Sequence, residues 1–207
     1  MKRLTLCCAL LIAISLTAQS QVRFGIQGDF TNMNVKGQGS TDVSEIYGLG
    51  IGGGAHFDVN LGPLALRLSG DYVFLTPDQD KYRALIAKFL GSAASGFTID
   101  GGRIDVISGN LNLKLDLLPL PLIHIYATGG GGLVRMSVTE ATVKFNGAPI
   151  TTFPKMDSQT KPSVNAGAGV DLGLGGLTLF GEVKIVWIMT EGQTSTQVPL
   201  ATVGLTF

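Results

Sequence analysis

An all-β fold, an eight-stranded antiparallel up-and-down transmembrane β-barrel, is predicted for this chain by three observations. The residues after position 21 fall into eight segments in which apolar and small or polar side chains alternate. The connections between segments are alternately minimal and long. Mean hydropathy is high at +0.35 with only 14% charged residues, yet no window after residue 21 is uninterruptedly apolar over the roughly 18 residues a membrane helix needs. Alternation dilutes hydropathy because side chains of a strand leave opposite faces, so one face can meet lipid while the other lines a lumen.

The amino-terminal stretch is excluded from the fold. Lys2 and Arg3 make its start basic, Leu4 to Leu16 is apolar, and Thr17, Ala18, Gln19 and Ser20 supply small residues before a polar run. This reads as a secretory signal peptide over residues 1–20, cleaved after Ser20 or Ala18, leaving 21–207 as the barrel domain. Cys7 and Cys8 both lie inside it, too early for a lipoprotein anchor, so the exported domain is expected to have no disulfide and no thiol chemistry.

Segment one runs from Val22 to Val35, with Val22, Phe24, Ile26, Gly28 and Phe30 outward and Arg23, Gln27 and Asp29 inward. In segment two, Tyr47, Leu49, Ile51, Gly53, Ala55, Phe57 and Val59 share the outer face and His56 and Asp58 the inner. A Gly62-Pro63 turn leads to segment three, where Leu64, Leu66, Leu68, Tyr72 and Phe74 oppose Arg67, Ser69 and Asp71. Segment four, Ile104 to Leu117, changes phase near Ser108 and Gly109, which predicts a β-bulge there. Beyond it Asn112, Lys114 and Asp116 face inward. Segment five sets Ile123, Ile125, Ala127 and Leu133 against His124, Tyr126 and Thr128. Segment six sets Val164 to Leu172 against Asn165 and Asp171, and segment seven sets Leu177, Leu179, Val183, Ile185 and Trp187 against Glu182 and Lys184. Segment eight is Val198 to Phe207, with Ala201, Val203, Leu205 and Phe207 on one apolar face.

Short connections at Leu61 to Pro63, Leu118 to Pro121 and Leu174 to Gly176 fit periplasmic turns, and the longer polar ones fit external loops. In the 75–102 loop, Tyr82, Leu85, Ile86 and Phe89 recur at helical spacing after Asp78, which predicts one short capped helix. Thr139 to Pro162, containing Phe145, Asn146 and Gly147, predicts an external hairpin. Outward aromatics sort by height: Phe24, Phe57 and Phe207 near the periplasmic rim, and Phe30, Tyr47, Tyr72, Phe74 and Trp187 near the outer rim, as two membrane-interface girdles.

Together these features resemble the small eight-stranded bacterial outer-membrane barrels of the OmpA-type and OmpW-type, porin-like family. The resemblance implies an outer-membrane location, contact with outer-membrane lipid, and delivery to the assembly machinery through the aromatic-ended last strand. It implies no catalytic motif and no cofactor. An OmpW-like likeness implies a site for a small hydrophobic ligand, for which inward Phe180, Val186 and Ile188 offer an apolar pocket in the outer half.

The lumen is expected to hold a polar cluster: Arg23, Asp29, His56, Asp58, Arg67, Asp71, Lys114, Asp116, His124, Asp171, Glu182 and Lys184. Charges there must be paired or wet, and eight strands enclose just enough room for side chains to fill it, so a salt-bridged plug is expected over a pore. His56 and His124 lie near periplasmic turns, away from external lipid, which argues against an enzyme; a satisfied polar cluster is expected over a metal site. Gly50 to Gly54 and Gly129 to Gly132 lie in strands with no helix following, so they are not nucleotide loops. Net charge is zero and no basic stripe carries interleaved aromatics, which excludes nucleic acid as a partner. The functional expectation is a structural or narrow porin-like barrel with surface loops. Passage of small hydrophobic molecules and adhesion through the loops are alternatives. A soluble secreted ligand barrel is the rival architecture and requires apolar residues inside.

Overall fold

A computed structural model of the chain describes residues 21–32, 45–120, 122–189 and 196–207; the predicted signal peptide over residues 1–20, both cysteines and residues 33–35 of the first predicted segment lie outside them. The barrel staves are β1 (Gln21–Thr31), β2 (Gly50–Leu61), β3 (Leu64–Leu75), β5 (Ile104–Pro119), β6 (Ile123–Val138), β9 (Met156–Gly173), β10 (Thr178–Ile188) and β11 (Thr196–Thr206). Each pairs antiparallel with its neighbours, and β11 returns to β1 in a register from Gly25↔Thr206 to Thr31↔Leu200. Closure satisfies every edge, which a sheet in hydrocarbon requires.

The tight turn between β2 and β3 rests on Gly62, whose φ of +78° suits glycine. It centres a register in which Asp58 pairs with Arg67 and Phe57 with Leu68. Side chains alternate throughout: Val22, Phe57, Leu111, Leu113 and Val183 are exposed on the outer face, while Asp29, His56, Arg67, Asn112 and Glu182 are buried inside. A polar interior under an apolar exterior is the reverse of a soluble ligand barrel. No helix among the described residues is long and apolar enough to cross a membrane.

The predicted bulge is displaced. Pairing of β5 with β6 runs unbroken through Ser108 and Gly109, and the register shifts between Asp116 and Leu118 instead. Ile104 and Val106 are apolar yet face inward, so they imitate a phase change where none exists; the true irregularity is where Leu117 and Leu118 are both exposed.

The external connections build a small second layer. Helix α1 (Gln79–Leu90) is capped by the Asp78 carboxylate, which accepts from the backbone N–H groups of Asp80 and Lys81 at 2.9 and 3.1 Å. A 3-10 turn (Gly91–Gly96) leads to β4 (Phe97–Gly101), which joins β7 (Ala141–Phe145) and β8 (Ala148–Phe153) in a three-stranded sheet. The β7–β8 hairpin turns on Asn146 and Gly147, both at positive φ, as a two-residue hairpin demands. Gln79 clamps the backbone of Ile99, and Arg83 donates to the Phe97 carbonyl, fastening α1 to β4. Of the predicted helical stripe Tyr82 is buried, while Phe89 is 78% exposed.

Candidate functional site

The lumen is divided into two chemically distinct parts. Nearer the periplasmic turns, Asp58 on β2 and Arg67 on β3 face each other because they are register partners across the Gly62 turn. The guanidinium donates to both carboxylate oxygens, Nε to Oδ1 at 2.7 Å and a terminal nitrogen to Oδ2 at 2.8 Å, the planar fork geometry that favours arginine. It also reaches Glu182 on β10 at 3.5 Å across the lumen. Glu182 further meets Lys184 at 3.4 Å and accepts from the Tyr126 hydroxyl at 3.0 Å. Lys114 pairs with Asp171 at 2.7 Å and lies 3.8 Å from the centre of the Tyr126 ring.

The remaining predicted polar residues are also inside, held mostly by neutral partners. Asp71 accepts from Gln27 and from Ser108, the latter at 3.3 Å, and Asp29 accepts from Thr202 at 2.7 Å. His56 is fully buried, with one ring nitrogen 2.8 Å from Gln27 and the other 3.0 Å from Thr206. Arg23 bonds Thr178 at 3.4 Å, and His124 lies 3.4 Å from Asp116 in a partly exposed pair. The two histidines thus belong to separate small networks. No group of three or more potential metal ligands is assembled among the described residues.

Asn110, Asn112, Asn165, Thr128 and Ser163 form a polar band that the alternation did not single out as functional. Both amide atoms of Asn112 and of Asn165 are buried without a protein partner. Such groups require hydrogen bonds, which makes this band a place for water.

The external half is sealed by hydrocarbon. Val73, Leu75, Ile104, Val134, Ile188 and Val198 form one buried cluster, with Val106, Met136, Val138 and Val186 packed against it. Leu75 is 0% and Ile188 3% exposed. Beneath the seal a cavity of about 50 Å³, bordered by Val73, Val106, Val134, Asp71 and Lys184, marks the boundary with the polar part. Val186 and Ile188 take part as the sequence suggested, but Phe180 does not. Its ring lies 4.8 Å from the Arg67 guanidinium and edge-on to His56 at 5.2 Å, inside the charged network.

Inward glycines make this filling possible. A Cβ at Gly25 would stand 2.3 Å from the His56 ring, one at Gly169 2.4 Å from the Tyr126 ring, and one at Gly204 2.6 Å from Phe180. Each large ring therefore lies across a neighbouring strand whose own side chain is absent.

On the outer surface Phe24 and Phe57 pack at 5.2 Å, and the Phe207 N–H donates to the Phe24 carbonyl. Tyr72 and Phe74 pair at 6.2 Å towards the other end, with Phe30 in register with Ile51 and Trp187 beside Val164. Tyr47 is not among them. It precedes β2, forms an isolated bridge to Pro77 and packs against the lumen seal, donating its hydroxyl to the Gly102 carbonyl at 2.7 Å. Burial pushes the Tyr47 phenol above its ordinary pKa, which keeps that donor protonated.

A closed eight-stranded barrel with a lipid-compatible exterior and a filled polar interior is a membrane-spanning barrel. The chain belongs to the outer membrane protein beta-barrel domain family, whose pattern matches residues 4–207. A solved structure with the same fold is that of a major outer membrane protein from Thermus thermophilus, which superposes with a TM-score of 0.53 at 13% identity, covering 90% of this chain and 99% of that one. Looser likenesses extend to two other barrels. The amino-terminal barrel domain of Pseudomonas aeruginosa OprF gives 0.47 at 12% identity, over 91% of this chain and 100% of that one. The attachment invasion locus protein Ail of Yersinia pestis, in complex with a heparin analogue, gives 0.49 at 10%, over 91% and 99%. No curated protein sequence matches.

Proposed function

We propose that this outer-membrane barrel is a closed structural element that anchors an external helix-and-sheet cap, and is neither an open porin nor an enzyme. The observation that carries this reading is the two-part lumen: an ion-paired network towards the periplasm and a hydrocarbon seal towards the exterior. An ion would have to break buried pairs and then cross a layer with no polar partner, both costly steps. His56, bonded on both ring nitrogens within the lumen, is poorly placed as a base for an external substrate. In this reading residues 1–20 direct export and are cleaved, and β11, with outward Val203, Leu205 and Phe207, is the strand presented to the assembly machinery. The experiment is conductance of the purified barrel in planar bilayers. Silent bilayers are expected; stable unitary currents abolished by adding bulk at the lumen would overturn it.

A second reading, binding of a small apolar molecule, is favoured by one feature. A cleft of about 270 Å³ opens at the external mouth between Val134, Met136, Val138, Met156 and Ile188, with Gln159 and Lys161 beside it. Saturable quenching of an apolar dye, lost in Met136→Glu, supports this reading, and unsaturable partitioning discards it.

A further inference from the structure

Charged side chains stand on the lipid-facing side of the barrel at its external end, where the lumen network has no use for them. Arg135 on β6 points outward, in register with Ile107 of β5 and Thr160 of β9, and Ile107 is in turn in register with Tyr72 of β3. Arg135 therefore lies in the same row as an outer-rim aromatic. In the next outward position towards the periplasm stands Leu133, with Leu111 beyond it on β5, both more than half exposed. Above are Asp105, Ser137, Lys155, Asp157 and Ser158, and with Ile107 and Arg135 they line a polar cleft of about 380 Å³ on the flank.

The charges in this cleft are unevenly used. Asp105 is occupied: it accepts from Tyr72 at 2.6 Å and pairs with Arg103 at 3.0 Å, while the Arg103 guanidinium covers the Phe74 ring at 5.8 Å. Arg135 has a hydroxyl partner, Ser158 at 2.8 Å, and no carboxylate partner among the described residues. Lys155 has none there either. With Asp105 neutralised by Arg103 from outside the lining, Asp157 is the one acidic group of the lining left to oppose Arg135 and Lys155, so three cations in and beside the cleft face two carboxylates.

An arginine facing lipid at interface depth is tolerated when its head reaches the phosphate level, where its donor fork matches phosphate oxygens and its stem lies on hydrocarbon. We propose that Arg135 and Lys155, positioned by Ser158, bind the phosphate of a phosphorylated outer-leaflet lipid whose acyl chains lie along Ile107, Leu133 and Leu111. The occupant is a lipid and not free phosphate because the apolar strip continues the cleft in the direction the chains would take. This site is independent of whether the lumen conducts.

The test is native mass spectrometry of the detergent-purified barrel titrated with bisphosphorylated lipid A, with dephosphorylated lipid A and inorganic phosphate as the other two probes. Wild type should retain bisphosphorylated lipid A about tenfold or more tightly than the dephosphorylated form, the difference two charge-assisted hydrogen bonds supply. Arg135→Gln with Lys155→Gln should remove that preference, and Lys88→Gln on α1 should leave it. Equal retention of the two lipids by wild type overturns the proposal without recourse to any variant. An unchanged preference in the double variant, checked for folding by heat-modifiable gel mobility, also overturns it. Full competition by inorganic phosphate at matching concentration overturns the lipid assignment in favour of a simple anion site.

Discussion

Removing Arg67 is the sharpest challenge to the plugged-lumen account. The side chains of Arg67 and Asp58 are only 4% and 5% exposed, and among the described residues the side-chain hydrogen bonds of Asp58 come from this guanidinium. Arg67→Met therefore leaves one carboxylate buried without a donor, a situation worth about 3–5 kcal/mol. Glu182 is better insured, because Lys184 and Tyr126 remain at 3.4 and 3.0 Å. Glu182→Gln, by contrast, strands Lys184, whose side chain is 3% exposed and whose ion pair among the described residues is with Glu182, so it should cost a comparable amount, about 3–5 kcal/mol. Replacing both members of the tight pair, as Asp58→Leu with Arg67→Met, deletes the stranded charge and should recover all but about 1 kcal/mol. The assay is urea unfolding of the barrel in lipid vesicles, followed by fluorescence of Trp187, the chain's one tryptophan. Its outward position makes its emission report on loss of the lipid-facing surface. A single Arg67→Met cost below about 1 kcal/mol, or a double variant no better than the single, would refute the claim that the pair is dry and mutually dependent.

Three further outcomes are expected from the same geometry. Gly169→Ala puts a Cβ 2.4 Å from the Tyr126 ring and 2.7 Å from the Gly181 carbonyl, so it should cost about 1–3 kcal/mol in that urea assay, whereas Gly109→Ala, with nothing within 4 Å, should stay within about 0.5. Leu75→Ala opens the external seal at a fully buried position and should cost about 2–5 kcal/mol; a cost near zero would mean the seal is not packed. Asp78→Ala removes the α1 cap and should destabilise that helix locally by about 1 kcal/mol, read as faster amide exchange in residues 79–90 with unchanged barrel unfolding.

Alternation made the barrel legible because a strand between lipid and lumen has a strict period of two, and lipid tolerates few exceptions on its face. The Asp58–Arg67 pair was half legible as well, since the two residues mirror each other across a recognisable Gly62-Pro63 turn. Its third member was not. Glu182 lies 115 positions from Arg67, and the contact depends on barrel width, which no local pattern encodes. The bulge was misplaced for a related reason: an apolar layer inside the mouth puts Ile104 and Val106 on the face that polar residues occupy elsewhere. Tyr47 fitted the outward parity of β2 but precedes the strand, so parity no longer governs it. Strand β4 is five residues long inside a loop read as carrying one short helix, and its partner is β7, about forty residues further along the chain.

The inward glycines explain how a narrow barrel can be filled by large rings at all. Eight strands leave room for about one layer of side chains, and inward positions from facing strands compete for it. Gly25, Gly169 and Gly204 yield their share to His56, Tyr126 and Phe180. Those rings then bracket the charges: Phe180 lies against Arg67, and Tyr126 lies against Lys114 while bonding Glu182. Positive groups on ring faces are attracted by the ring quadrupole, so the rings hold Arg67 and Lys114 in place. On the proposed reading of a closed barrel, these charges are held by partners and rings in place of moving with a permeating ion. The inward glycines are therefore what permits three large rings to fill so narrow a lumen.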